Sequence, residues 1–299
     1  MNLKTRFAPT PSGFLHEGNI FSLLLTWLIA RKNKGRIFLR IDDLDGLRTK
    51  KSYTEDIFRT LEWLGLDYDE GPSGVEDFYA NYSQLKRLEL YEKALTNLEK
   101  HGLTFNCVCS RSEIINISPD GNYPGTCLES ITEFNKPLAI RLITLDDTVI
   151  SFKDHIRGPQ KIDIQDEMRH FIVRRKDKLP SYQLASLVDD DHFGINCIVR
   201  GEDLLSSTAA QLYLARQLNY SSFISSQFYH HPLLYRGSQK LSKSQGHSFS
   251  DGNGSDQHKK QVLREFANWM GLDYKIDNLK DLLDRFQMTQ LQQLGQASD

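Results

Sequence analysis

Three groups of residues in this chain have the types and spacing to do chemistry. The first is Arg6-Phe7-Ala8-Pro9-Thr10-Pro11-Ser12-Gly13-Phe14-Leu15-His16-Glu17-Gly18-Asn19. It runs from a strand candidate at 3–8 into a helix whose apolar residues, Ile20, Leu23, Leu24, Trp27 and Leu28, recur at helical spacing. A helix N-terminus offers unpaired N–H groups and the positive end of its dipole, so it binds phosphate well. His16 can donate hydrogen bonds to phosphate oxygens, and glycine at 18 lets a phosphate or a flat base approach the backbone. Taken alone, the run also fits an ordinary Pro/Gly loop with a surface histidine. The second group is Lys240-Leu241-Ser242-Lys243-Ser244-Gln245-Gly246-His247. Its lysines and serines suit a mobile clamp that meets negative charge growing on a phosphate leaving group. A solvated polar loop is the plain alternative.

The third group is Cys107-Val108-Cys109 followed by Tyr123-Pro124-Gly125-Thr126-Cys127. Three thiolates at this spacing can close on one Zn²⁺. No histidine or cysteine lies between 110 and 126, so Tyr123 or a water is the candidate fourth ligand. A phenolate ligand would need the metal to lower its pKa from about 10. Three reduced, buried cysteines without metal remain the alternative. Cys197 falls in a predicted strand and reads as a core residue.

The elements that must position these groups alternate in type. Arg36–Ile41 reads as a short strand, and a helix follows with Ile57, Leu61 and Leu64 as its apolar face. Ser52 with Glu55 predicts a capping box at its start, and Gly65 closes it. Strand, helix, strand, helix in this order predicts a parallel sheet with crossovers. After a further helix over Leu85–Leu98 and Gly102, the texture changes. Strands at 138–143, 148–152 and 170–174 predict an α+β insertion. Alternation resumes near Pro180, with strands at Cys197–Arg200 and Gln227–Leu234 around a helix at Thr208–Leu218. The last segment, Gln257–Asp299, reads as helical, with Val262, Phe266, Trp269 and Met270 on one face. The expected division is 1–102 and 180–250 as two halves of one α/β domain, 103–179 as the insertion and 251–299 as a helical tail.

Composition excludes several classes. Of 299 residues, 39% are hydrophobic and 25% charged, with 9 Pro and 19 Gly, so the chain is neither disordered nor fibrous. The net charge of −2 announces no nucleic-acid binder, so any such surface must be a local patch. The longest apolar stretch, Ile20–Ala30, is too short for a bilayer, which takes about 20 residues. Residues 1–6 do not lead into a signal-peptide core, so the expectation is a cytoplasmic protein with reduced cysteines, without a membrane anchor. A monomer is expected.

In combination the loops resemble the HIGH and KMSKS signatures of class I aminoacyl-tRNA synthetases. Residues 6–13 are similar to the opening of the glutamyl/glutaminyl branch, and Arg40-Ile41-Asp42-Asp43-Leu44-Asp45 to its Arg-Ile-Glu-Asp-x-Asp element. Pro180-Ser181-Tyr182-Gln183-Leu184-Ala185 with Val188-Asp189-Asp190-Asp191-His192 resembles its glutamate-pocket strand and helix. Val199-Arg200-Gly201-Glu202-Asp203-Leu204 resembles its next element. The stretch between His247 and residue 299 is too short for that branch's anticodon-gripping half. The expectation is therefore one of its truncated members, which attach glutamate to queuosine in the anticodon of tRNA(Asp).

That resemblance implies a class I Rossmann-type α/β fold split by a zinc-bearing α+β insertion, with a short helical tail. It implies ATP, arriving with Mg²⁺, L-glutamate and a queuosine-carrying tRNA(Asp) as substrates. It implies one structural zinc on Cys107, Cys109, Tyr123 and Cys127. His16, Lys243 and Lys240 would stabilise phosphate charge, with Gly18 and Asn19 also at the ATP. Arg6 and Arg200 would hold carboxylates, and Phe7, Ala8, Pro9, Thr10 and Tyr182 would line the glutamate pocket. Asp42 would meet the ammonium, although the family usually has Glu there. The alternative is a minimal glutamyl-tRNA synthetase that charges the 3′ end. A catalytically inactive paralogue that only binds is the non-enzymatic alternative.

Overall fold

The computed structural model describes residues 2–46, 48–129, 136–236, 239–240, 255–272 and 275–296. Strand β1 (Lys4–Phe7), helix α1 (Glu17–Lys32) and strand β2 (Arg36–Leu39) form the first crossover, with β1 and β2 parallel in register Lys4↔Arg36 to Phe7↔Leu39. Helix α2 (Lys51–Leu64) ends at Gly65, whose φ of +78° is the left-handed cap expected of glycine. The chain enters α2 in extended conformation at Lys50, which caps it without a side-chain hydrogen bond. Ser52 therefore sits inside the first turn, and the predicted Ser52–Glu55 capping box does not form.

A turn α3 (Val75–Asp77) and helix α4 (Leu88–Lys100) lead into the insertion. There β3 (Thr104–Cys107), β4 (Ala139–Leu142) and β7 (Ile172–Arg174) make one antiparallel sheet, and α5 (Arg111–Ile117) follows β3. The hairpin β5 (Val149–Asp154)–β6 (Gly158–Asp163), followed by α6 (Ile164–Glu167), reaches a different sheet. Its Asp154 pairs with Phe228 of β9 (Gln227–His231), which runs parallel to β8 (Cys197–Gly201), giving the order β6-β5-β9-β8. Asn196, just before β8, donates its N–H to the Lys4 carbonyl (3.0 Å), so β1 and β8 lie side by side.

Helix α7 (Tyr182–His192) precedes β8, and α8 (Leu205–Leu218) and α9 (Ser221–Ile224) separate β8 from β9. Tyr182 was expected in a strand but opens α7 instead. Ser181 caps that helix, its hydroxyl accepting from the Leu184 N–H. β9 stops at His231, earlier than the predicted Leu234, because Pro232 has no N–H for a ladder. A short antiparallel pair, β10 (Tyr235–Arg236) and β11 (Gln239–Lys240), follows.

The predicted helical tail is three helices: α10 (Asp256–Trp269), α11 (Leu279–Arg285) and α12 (Gln290–Gln296). It completes the main core, where Val262, Leu263, Phe266, Leu282 and Leu294 pack with residues of α1 and α2. Phe21 of α1 meets Phe266 edge-on at 5.3 Å. This explains why α1 is buried on nearly all sides from Ile20 to Ala30, and not on one stripe. A second core lies between α4, α7, α8 and the strands beneath them. No helix among the described residues is long and apolar enough to cross a membrane.

Candidate functional site

The C-terminal ends of β1 and β8, the N-terminus of α1 and the start of α7 surround a cavity of about 540 Å³. Arg6, Phe7, Ala8, Pro9 and Thr10 line it from β1 and its loop; Gly18, Asn19 and His16 line it at α1. Asp42, Tyr182 and Arg200 complete the set, together with Arg40. Most of the residues singled out from sequence thus converge on one cavity. Lys243 lies outside the described residues, and Lys240 is described only through the backbone pairing of β11 with β10.

The loop after β1 is held at defined points. Arg40 N–H donates to the Phe7 carbonyl (2.8 Å) and Asp42 N–H to the Pro9 carbonyl (3.0 Å), so the two chains stay zipped beyond the formal strands. Further along, Leu15 N–H donates to the buried Asp56 carboxylate of α2 (2.9 Å). His16 caps α1, and its own N–H donates to the Asn19 side-chain oxygen (3.2 Å). A Cβ at position 18 would stand 3.0 Å from the His16 ring, so glycine lets the imidazole lie against the helix start.

The cations of the cavity are held in two different ways. Arg40 makes a fork on Asp42, Nε to Oδ1 at 2.6 Å and Nη2 to Oδ2 at 3.1 Å, and its Nη1 reaches Asp190 Oδ1 at 2.6 Å. Arg6 Nε also donates to Asp190 Oδ1 (3.2 Å), and its Nη1 to the Val199 carbonyl (3.2 Å). Asp190 is fully buried on α7. The preceding residue, Asp189, receives Arg87, Gln84 and Tyr91, which anchors α7 from behind. Burial pushes the Asp42 carboxyl above its usual range, although Arg40 opposes this.

Arg200 differs. Its guanidinium donates to Tyr182 Oη (3.1 Å), Thr208 Oγ1 (2.5 Å), Gln211 Oε1 (2.9 Å) and His230 Nε2 (3.4 Å). All four acceptors are neutral groups. It is 5% exposed and, among the described residues, no carboxylate lies within ion-pair distance of it. Burial holds its pKa below the ordinary arginine value. A desolvated cation without a counter-ion is costly unless an anion arrives. A buried cation held by neutral groups can receive an anion such as a carboxylate. Sequence reasoning did not single out Arg40, Asp190, Thr208, Gln211 or His230. The Arg40-x-Asp42 spacing, one face of an extended segment, was the signal available for the first.

The cysteine cluster lies apart from the cavity, at the end of β3. The Sγ atoms of Cys107, Cys109 and Cys127 all lie within 4.8 Å of one another, with Cys109 and Cys127 3.6 Å apart. Tyr123 Oη is 3.5 Å from Cys107 Sγ and accepts from the Cys127 N–H (2.8 Å). The Arg141 guanidinium covers the Tyr123 ring at 3.9 Å. Burial and the adjacent sulfurs push the Cys109 thiol up to about 11. Such a cluster can hold a metal ion. Cys197 is fully buried in β8, as expected of a core residue.

Two runs of the chain are basic, Arg174-Arg175-Lys176 and His258-Lys259-Lys260. Arg175 donates to the Leu44 carbonyl (3.2 Å) and so ties the insertion to the first α/β half, and Lys176 Nζ donates to the Val108 carbonyl (2.6 Å) within the insertion. In the second run, His258 stacks on Trp63 (centroids 5.3 Å apart).

The comparisons agree with this architecture. Residues 2–299 match the model of tRNA synthetases class I (E and Q), catalytic domain, and the chain belongs to that family of ligases. Its fold is that of a glutamate-tRNA synthetase from Elizabethkingia anophelis, with a TM-score of 0.79 at 23% identity over 97% of this chain and 66% of that one. In sequence it is 42% identical, over 71% of its length and 70% of the relative's, to a glutamyl-Q tRNA(Asp) synthetase of Symbiobacterium thermophilum. It is 37% identical to glutamate–tRNA ligase 2 of Nitrosococcus oceani, spanning 48% of that protein.

Proposed function

We propose that this chain activates L-glutamate with ATP, without needing RNA, and transfers the glutamyl group to queuosine in the anticodon of tRNA(Asp). The observation that carries this reading is Arg200. It is a buried cation held by neutral groups, in a cavity that also contains the helix start at His16 and Gly18. A dicarboxylic amino acid supplies the missing anion and places its reacting carboxylate toward that helix start.

In the first step a glutamate carboxylate oxygen attacks the α-phosphorus of ATP. The new O–P bond forms as the bond to pyrophosphate breaks. The nucleophile is already ionised, so catalysis is positioning and charge stabilisation. The α1 N-terminus and His16 meet the phosphates, and Lys243 and Lys240 meet the departing pyrophosphate; Mg²⁺ enters with ATP and shares its phosphate charge. Arg200 and Tyr182 hold one glutamate carboxylate, and Arg6 orients the other. Asp42 receives the ammonium. An ionised carboxylate has about four acceptor sites, so the Arg40 fork leaves room for this contact. In the second step a hydroxyl of the modified base attacks the glutamyl carbonyl carbon. AMP leaves, and the hydroxyl proton passes to phosphate or solvent.

Three thiolates with a phenol oxygen fit Zn²⁺, since sulfurs on a tetrahedral ion stand roughly 3.8 Å apart. Cys107, Cys109, Cys127 and Tyr123 would hold it, and it would fix the β3 end and the loop to 127 as a structural staple.

The glutamate–tRNA ligases among the relatives favour a second reading, in which the acceptor is the 3′ end of a tRNA. The product separates the two. Labelled glutamate on the queuosine base survives removal of the 3′-terminal adenosine. A 3′ ester is lost with it, and that loss would overturn the queuosine reading.

A further inference from the structure

We propose that Asp154 and His230 form a positioning dyad that fixes the Arg200 guanidinium and thereby sets the affinity for glutamate. This deepens the glutamate reading and rests on it. Asp154 ends β5, within the hairpin that the insertion contributes to the sheet, and is 1% exposed. Its Oδ1 accepts from the N–H groups of Ile156 (2.8 Å) and Arg157 (2.7 Å). Its Oδ2 accepts from His230 N–H (3.0 Å) and faces His230 Nδ1 at 2.6 Å. Three backbone N–H donors hold the carboxylate ionised, so it can only accept, and the network assigns the imidazole proton to Nδ1. His230 Nε2 is then a lone pair.

That lone pair faces Thr208 Oγ1 at 2.7 Å and Arg200 Nε at 3.4 Å. The Thr208 hydroxyl stands 2.7 Å from Nε2 and 3.1 Å from the Leu204 carbonyl; with its proton on the shorter contact, to Nε2, its oxygen lone pairs turn toward Arg200 Nη2 at 2.5 Å. The opposite tautomer would point an N–H at the Arg200 Nε–H. A protonated ring would add a second positive charge there. The dyad therefore orients the guanidinium through an uncharged ring, and keeps the Asp154 carboxylate one imidazole away from it. A carboxylate in direct contact would neutralise Arg200 and compete with the substrate. The use of a buried Asp to set a histidine tautomer is known from hydrolytic triads, where the histidine serves as a base and not as a spacer.

The charged and titratable groups around His230 are Asp154 on β5, Arg200 on β8, Arg6 on β1 and the adjacent His231; α8 presents the neutral Thr208. Burial, with Arg200 and Arg6, holds the ring neutral at physiological pH against the opposing pull of Asp154.

The test is glutamate-dependent pyrophosphate exchange on the full chain. Asp154→Asn lets the amide present N–H₂ to Nδ1 and reverse the tautomer. The expected result is a rise of about 10- to 100-fold in the KM for glutamate, with the KM for ATP and kcat each within about threefold. His230→Gln keeps an acceptor but cannot titrate. It should retain glutamate affinity better than Asp154→Asn. It should also lose the acid-side rise in glutamate KM that the wild-type chain shows as pH falls. A glutamate KM within twofold in Asp154→Asn, or an acid limb that persists in His230→Gln, overturns the dyad. If the wild-type chain shows no glutamate-dependent exchange, the glutamate reading is what fails. The dyad is then read from ¹⁵N shifts of the His230 ring: the Nδ1–H tautomer is expected, and Nε2–H would contradict it. A melting curve for each variant separates misfolding from a KM effect.

Discussion

The two halves of the cavity handle positive charge in opposite ways. Around Arg6 and Arg40, the protein supplies its own carboxylates, Asp42 and Asp190, and the ions are locked by forks and shared oxygens. Around Arg200 it supplies only neutral acceptors, and Asp154 stands behind the His230 imidazole. The first half is ordered by its own carboxylates before any substrate arrives. The second half, under the proposed function, is completed only when the substrate carboxylate binds. The same distinction separates the cavity from the cysteine cluster, whose converging donors suit a cation.

The largest expected effect tests the open half. Arg200→Ala should lower kcat/KM for glutamate in the exchange reaction by about 10³-fold, with little change in melting temperature. Arg200→Lys should restore little of it, because an ammonium cannot reproduce the fork that spans Tyr182, Thr208 and Gln211. An Arg200→Ala chain as active as the wild type would remove the basis for treating this half as a receptor.

Asp190→Asn tests the closed half. It leaves two buried guanidinium groups sharing one neutral amide, and should cost about 3–5 kcal/mol in urea unfolding. An Asp190→Asn chain as stable as the wild type would mean that the shared carboxylate does not hold this half together.

The metal cluster should respond independently of the cavity. Cys127→Ser should reduce zinc from one ion per chain to a small fraction of that, measured by elemental analysis, and expose 104–129 to proteolysis. The glutamate KM should stay within about threefold. A large change in glutamate KM would couple two regions that the contacts keep apart.

A smaller effect concerns acid stability. His231 is buried beside Trp269, and burial lowers its pKa from 6.5 to about 4. Its folded pKa lies below the unfolded value, so the unfolded chain binds the extra proton between the two. Stability is then full above about pH 6.5 and declines as pH falls toward about 4, by up to about 3 kcal/mol. His231→Leu should flatten this part of the stability profile in urea titrations at each pH.

Much of this was legible in the sequence because the carriers are local. The strand–loop–helix run from Arg6 to Asn19 predicts both the crossover and the site at its helix start, and the cavity gathers Arg6, Gly18, Asp42, Tyr182 and Arg200 as the motifs suggested. The Cys-x-Cys spacing likewise predicts the cluster. The remainder depends on contacts distant in sequence. Asp190 joins Arg6 across 184 positions, and His230 meets Asp154 across 76. Neither pairing leaves a spacing signal. The same applies to the tail, whose amphipathic helix reads as an appendage but supplies Phe266 to the main core. The resemblance to a pocket strand and helix put Tyr182 in the strand, whereas the Ser181 cap makes it the first residue of the helix.

Exchange of labelled pyrophosphate into ATP, with glutamate and no RNA, decides between the queuosine and 3′-end readings. The expected exchange depends on glutamate, is not supported by aspartate or glutamine at equal concentration, and persists when all tRNA is removed. Exchange only on addition of tRNA(Glu), or none with folded, zinc-loaded protein, would contradict the proposed function.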